Sequence, residues 1–169
     1  MLFGSAIPTK FGSLINEFSY NDFVLQLGLT FKFGYWFRRS SINYTNLFNS
    51  WTGNPDYALR WKAPGDENVT SVPVNQYTTD LNRDLFYSGS SVLVEKGDHI
   101  RLKYINLAYK LSPPIALKNR IGDLQLFFNA SDLGILWKAT KTDLDPDFIA
   151  GTHLLVTPKN FSLGLKVAF

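Results

Sequence analysis

The sequence predicts an all-β chain in which about five antiparallel strands form part of a transmembrane β-barrel wall, with long loops on one side. Three observations predict it. The final stretch, Asn160, Phe161, Ser162, Leu163, Gly164, Leu165, Lys166, Val167, Ala168, Phe169, alternates polar or small with apolar residues and stops on an aromatic. Residues 23–35 place every residue of one parity in the apolar class. The connections between predicted strands alternate short and long. Period-two alternation makes one face of a strand apolar and the other polar, which suits lipid on one side and water or packed polar groups on the other.

Taken in order, the first strand covers residues 11–20, where Leu14, Asn16, Phe18 and Tyr20 share a face; Asn21 and Asp22 then supply a two-residue turn. The second covers 23–35. Phe23, Leu25, Leu27, Leu29, Phe31, Phe33 and Tyr35 stand against Gln26, Gly28, Thr30, Lys32 and Gly34. Chance would give such a run at a chosen site in roughly 0.4% of cases, so the alternation is a strand signal. At ~3.3 Å per residue it reaches about 43 Å, or ~30 Å along a membrane normal at a tilt near 45°.

The third strand, 100–111, alternates Ile105, Leu107, Tyr109 and Leu111 with Asn106, Ala108 and Lys110. It is ended by Pro113 and Pro114, which have no N–H to donate. The fourth, 121–133, carries Leu124, Leu126, Phe128 and Ala130 on one parity, and the fifth is 160–169. Long connections at 36–99 and 134–159 contrast with the short ones at 21–22 and 113–120. Outer-membrane barrels have short periplasmic turns and longer extracellular loops, so both long segments are expected outside the cell and the C-terminus on the periplasmic side.

The residues expected to face lipid are Phe23, Leu25, Leu27, Leu29, Phe31, Phe33, Leu124, Leu126, Phe128, Phe161, Leu163, Leu165 and Val167. A Lys or Arg at the bilayer midplane on that face costs about 2–4 kcal/mol. Lys32, Lys110 and Lys166 all take the opposite parity. Arg101 and Lys103 take the outward parity of the third strand, so that part is expected to project beyond the bilayer.

Hydrophobic residues at 45% with 18% charged exclude a disordered tail, and 15% aromatic content suits membrane interfaces or a ligand groove. A net charge of +3 with dispersed Lys and Arg argues against nucleic-acid binding. The absence of Cys removes disulfides and thiolate chemistry. No run approaches the ~18 apolar residues of a membrane helix, and residues 1–10 lack an export signal, which is expected upstream.

Asp143, Asp145 and Asp147 alternate as at the start of a calcium loop. Phe148 and Leu154 occupy the places where such a loop needs Gly and Glu, so the three read as solvated turn acids and no metal is expected. His99 and His153 are isolated and no nucleophile motif is present, so neither catalysis nor a cofactor is expected. Trp51, Trp61 and Trp137 offer faces for stacking a sugar ring or a peptide side chain of a substrate or partner, against the plainer reading that they pack within the loops.

Several blocks in order across nearly the whole chain carry a family resemblance: Ile7-Pro8 with Phe11-Gly12 and Phe18-Ser19-Tyr20-Asn21-Asp22-Phe23; Arg60-Trp61 with Pro64-Gly65-Asp66; Ile100 through Tyr109; Phe128-Asn129-Ala130-Ser131-Asp132-Leu133; Asp145-Pro146-Asp147; and the strand ending in Phe169. The chain resembles the C-terminal part of a SusC/RagA-type TonB-dependent outer-membrane transporter of the Bacteroidetes. It departs where that family usually has Gln-Asn-Leu at 131–133 and Asp-Pro-Glu at 145–147.

The resemblance implies a 22-stranded barrel with an N-terminal plug, import of a glycan or a peptide driven by the TonB complex through that plug, and a SusD-like surface lipoprotein as lid. It also implies that Phe169 is the signal read by the barrel-assembly machinery. Five strands cannot close, and open edges in lipid cost several kcal/mol per unsatisfied group, so an N-terminal barrel portion must complete the wall. The rival is a soluble β-sandwich carbohydrate-binding module, in which the apolar faces would pack on each other.

Overall fold

The computed structural model describes residues 3–76, 78–112, 122–148 and 158–168. It divides into two compact units, Met1–Phe3 with Trp36–Glu95 and Gly4–Tyr35 with Lys96–Phe169. In chain order the elements are β1 (Lys10–Tyr20), β2 (Phe23–Phe33), β3 (Trp36–Arg38), α1 (Tyr44–Ser50), α2 (Leu81–Gly89), β4 (Val94–Lys96), β5 (His99–Leu111), β6 (Leu124–Lys138) and β7 (Asn160–Val167). The turn at Pro113 and Pro114, as well as Ile121, His153, Leu154 and Phe169, lies outside the described residues.

The second unit is a five-stranded antiparallel sheet in the order β1-β2-β5-β6-β7. Tyr20 sits opposite Phe23, so Asn21 and Asp22 form the two-residue hairpin, with Asn21 at φ 49°. Asn tolerates that left-handed backbone better than most residues. The strand expected over 23–35 stops at Phe33 because Gly34, at φ 75°, turns the chain out of the sheet. The Gly34 N–H then donates to Asp98 Oδ1 at 2.7 Å, and Tyr35 becomes buried.

β6 runs five residues past the expected end at Leu133, through Gly134 to Lys138. Irregular pairing with β5 allows this: Tyr104 faces Ser131 but Leu102 faces Gly134, and Ile100 faces Trp137 while Arg101 faces Ile135. A single strand's alternation hides such bulges because the extra residue is defined only against its partner. At the two ends of the sheet, β1 pairs only with β2 and β7 only with β6 among the described residues.

Residues 36–99, expected as an open loop, supply most of a small folded unit. β3 pairs with β4, and Ile42, Tyr44, Val72, Tyr87 and Leu93 form a core with Leu47 and Tyr57 packed against it. Local caps fix its helices: Asn43 accepts from Asn46 N at 2.7 Å at the start of α1, and Asp80 accepts from Asn82 and Arg83 at the start of α2. Asp84, buried on α2, accepts from Thr45 N at 2.7 Å and Thr45 Oγ1 at 2.8 Å, satisfying an N–H that the first turn of α1 leaves free. Asp84→Ala is expected to cost about 2 kcal/mol by orphaning that donor. Limited proteolysis within residues 40–90 of the assembled protein should then run about 30-fold faster, with Asp84→Asn close to wild type.

Candidate functional site

Directly opposed residues of antiparallel strands share a face, so the register sorts the side chains of the sheet. One face carries the rows Tyr20, Phe23, Tyr109, Leu126, Leu165 and Phe18, Leu25, Leu107, Phe128, Leu163. Leu27, Ile105, Ala130 and Phe161 follow, then Leu29 with Leu102, and Phe31 with Ile100 and Trp137. All thirteen residues named as lipid-facing lie on this one face. On the edge strand Asn16 and, at its start opposite Phe33, Lys10 depart from the apolar character of this face. Rings gather at both ends, with Phe23 stacked on Tyr109 at 4.3 Å and Phe33 against Trp137 at 6.2 Å.

The opposite face is mostly polar or small, with Phe11, Ile15, Val24, Tyr104, Phe127 and Ile135 as its larger side chains. Glu17, Gln26, Asn106, Asn129 and Ser162 form a straight row across all five strands, within which Asn106 Nδ2 donates to Gln26 Oε1 at 3.0 Å. Where rings stand on this face, glycine makes room for them. A Cβ on Gly28 would fall 2.3 Å from the Tyr104 ring, and one on Gly164 would fall 2.3 Å from that of Phe127.

The expectation for Arg101 and Lys103 is corrected by the bulge. Gly28 faces Tyr104 and Leu29 faces Leu102, so Lys103 is the extra residue and Ile100 and Leu102 take the apolar face. Arg101 then shares the polar face with Thr30, and Lys103 lines a depression there with Ser13, Ile15 and Tyr104. No projection of this part beyond an apolar band is needed to keep the two cations out of it.

The reading of the acids is corrected as well, because Asp145 and Asp147 are paired with cations rather than left free in solvent. One terminal nitrogen of Arg101 donates to both oxygens of Asp145 at 2.6 and 2.7 Å and lies 3.2 Å from Asp147. Asp147 also accepts from Lys32 Nζ at 2.7 Å and from His99 Nε2 at 3.3 Å. His99 is only 1% exposed, and its Nδ1 donates to the Gly97 carbonyl at 2.9 Å, the two-donor arrangement of an imidazolium. Three cations from β2 and β5 thus clasp the Asp145-Pro146-Asp147 turn onto the polar face. Asp143 alone stays in solvent, 3.8 Å from Lys138. Among the described residues no group of three or more His, Asp or Glu is placed to hold a metal ion.

Hydrogen bonds from His99 and then Lys32 hold the Asp147 carboxyl well below the usual carboxylate range. Burial, followed by the charges of Asp147, Asp145 and Asp98, pushes the Tyr35 hydroxyl up to about 12. Since Asp147 titrates lower in the folded chain than the ~3.9 of an unfolded one, its stabilisation is complete above that value and is lost as pH falls through the native one. Relative to Asp147→Asn, which carries the protease's own pH dependence without the titrating carboxyl, pepsin cleavage within residues 139–148 is therefore expected to be flat from pH 5 down to about 4 and to rise steeply below it. Asp147→Asn should cut readily throughout.

The tryptophans do not form one set. Trp51 is 90% exposed at φ 54°, and Trp61 is tied to Glu67 by its Nε1 at 3.1 Å. Trp137, expected in a loop as a substrate or partner contact, instead belongs to β6 and stands on the apolar face beside Phe33. Its place is at the end of the aliphatic rows.

An open antiparallel sheet with one largely apolar and one largely polar face, its outer strands paired on one side only among the described residues, fits a piece of barrel wall. The solved structures agree. The chain is similar to a chain of the RagAB peptide importer in its "open-open" state, with a TM-score of 0.65 and 21% identity over 98% of this chain and 18% of that one. It is similar also to the "closed-closed" state, with a TM-score of 0.65 and 20% identity over 99% and 18% of the two chains. A further RagAB peptide transporter structure gives 0.64 and 20% over the same shares. At these identities the likeness establishes the fold, and the chain spans 18% of the length of the chains it matches. No protein-family profile matches it, and no curated protein does. The fold of those structures agrees with the one the residue blocks led us to expect.

Proposed function

We propose that this chain is C-terminal wall and extracellular surface of a TonB-dependent nutrient importer in the bacterial outer membrane. The observation that carries the reading is the sheet itself, apolar on one face, polar on the other, and unpaired at β1 and β7 among the described residues. At ~3.3 Å per residue the eleven residues of Phe23–Phe33 reach about 36 Å, or about 26 Å when tilted near 45°, close to the ~25 Å apolar band of such barrels. Phe18, Leu163 and Leu165 are exposed, so among the described residues no second layer covers them as a β-sandwich would require.

In this reading the remaining barrel strands pair with β1 and β7, and TonB acts through the plug that the barrel encloses. The unit of Trp36–Glu95 meets substrate and a SusD-like lipoprotein, with Trp51 the best placed of its aromatics by exposure. Phe169 is read by the barrel-assembly machinery. Imported glycan and imported peptide are both compatible with the wall, and RagAB is named a peptide importer. Producing the chain with and without the rest of its barrel tests the reading. The chain should reach the outer membrane as a heat-modifiable barrel only in company, and alone should need detergent. A monodisperse water-soluble chain would refute it.

A further inference from the structure

We propose that His99 is a proton-operated latch: its charged ring holds the Asp145-Pro146-Asp147 turn on the polar face, and loss of one proton loosens the turn. Every group involved belongs to the unit of Gly4–Tyr35 with Lys96–Phe169, so the latch depends on the sheet alone and works whether or not the barrel imports anything.

The His99 ring stands at the start of β5 and is 1% exposed, so its protons go to protein acceptors and not to water. Nε2 lies 3.3 Å from Asp147 Oδ2, and Nδ1 lies 2.9 Å from the Gly97 carbonyl. Both partners only accept, and a neutral imidazole has a single N–H, so only the charged ring serves the two at once. A third group stands beside it. The Tyr35 hydroxyl is 3.3 Å from Nδ1, with the two rings edge to face at 6.4 Å. After deprotonation two arrangements are open. With Nδ1–H kept, the bare Nε2 points its lone pair at the Asp147 carboxylate and the two repel. With Nε2–H kept, Nδ1 accepts from the Tyr35 hydroxyl, and the ring's bond to the buried Gly97 carbonyl is gone. Each arrangement gives up one hydrogen bond of the charged ring and the charge itself.

The other charges around the ring do not replace it. Lys32 of β2 reaches Asp147 from a side chain 42% exposed, where solvent weakens a pair. Arg101 of β5 spends its two shortest contacts on Asp145 and lies 3.2 Å from Asp147. Asp98 is engaged by the Gly34 N–H at 2.7 Å and by Lys96 at 3.0 Å. Of the three clasping residue types, only histidine ordinarily titrates near neutrality. The turn is therefore held below the native titration of His99 and loosens as pH rises through it, while loss of the Asp147 charge bounds the acid side. In the importer reading the polar face looks into the barrel, so the latch ties the position of a lumen-side turn to pH.

The test digests the assembled protein with subtilisin from about pH 6 to about pH 9.5, a range below the ordinary titration of lysine. The cleavage rate within residues 139–148 is divided by that of a free peptide of the same sequence, which carries the protease's own pH dependence. In wild type the ratio should rise about tenfold across a single titration, the size of one hydrogen bond to a charged group. In His99→Gln it should be flat. Tyr35→Phe removes the hydroxyl that caps the neutral ring, so the rise should move to higher pH with its amplitude kept. A Tyr35 that merely packs would change the amplitude and not the pH of the rise, and this shift decides the matter should His99→Gln fail to assemble. A flat wild-type ratio, a rise that persists in His99→Gln, or a rise unmoved by Tyr35→Phe overturns the latch.

Discussion

Arg101→Leu is expected to detach the Asp145-Pro146-Asp147 turn and to cost about 3 kcal/mol, the usual size of the effect when one partner of a buried ion pair is removed. Arg101 is buried and is the cation that Asp145 meets through both oxygens. Its loss leaves that carboxylate uncompensated, while Asp147 keeps Lys32 and His99. Hydrogen exchange at the Asp147 N–H, which donates to Asp145 Oδ1 at 3.0 Å, reads the detachment directly. A 3 kcal/mol loss corresponds to about 150-fold faster exchange where the clasp sets the opening. Arg101→Lys keeps the charge without the planar guanidinium and should restore part of the protection. Exchange unchanged in Arg101→Leu would mean that the turn is held elsewhere.

The second large effect lies at Gly28. A β-carbon there would sit 2.3 to 2.7 Å from three atoms of the Tyr104 ring, in a strand paired on both sides. Neither the sheet backbone nor a ring packed against it yields that distance freely. Gly28→Val should therefore cost about 3 kcal/mol or more, at the upper end of overpacking penalties, seen as reduced heat resistance of the assembled barrel. The diagnostic is the pair: Tyr104→Ala in the Gly28→Val background should recover most of the loss, although Tyr104→Ala alone destabilises. Additive losses in the double variant would contradict the ring-on-glycine packing.

The strands were legible because the period of two survives any tertiary context that keeps one face apolar, and the rows from Phe23 to Phe33 and from Phe161 to Val167 are nearly unbroken. The Asn21-Asp22 hairpin was legible for a local reason, the tolerance of Asn for positive φ. What escaped was relational. Lys103 and Asp132 are bulge residues only by reference to β2, β5 and β6, so single-strand parity put Arg101 and Lys103 on the wrong face. The same irregularity concealed the continuation of β6 and moved Trp137 from a loop to the apolar face.

Asp145 and Asp147 looked like turn acids because their cations lie far away in sequence, Arg101 by 44 residues and Lys32 by 115. A run of Asp carries no mark of what it meets. In the unit of Trp36–Glu95, helices of seven and nine residues are too short for strong periodicity and depend on Asn43, Asp80 and Asp84 as caps. The caps were present in the sequence, but no apolar stripe drew attention to them.

The central claim is that the two faces of this sheet meet different solvents. Nitroxide labels placed singly at each position from 23 to 33 of the complete transporter in bilayers, with collision rates measured for oxygen and for a water-soluble nickel complex, test it directly. Oxygen contact should peak at 25, 27, 29 and 31 and nickel contact at 26, 28 and 30, the two profiles alternating out of phase. Profiles without a period of two, or with the phases exchanged, would contradict the account.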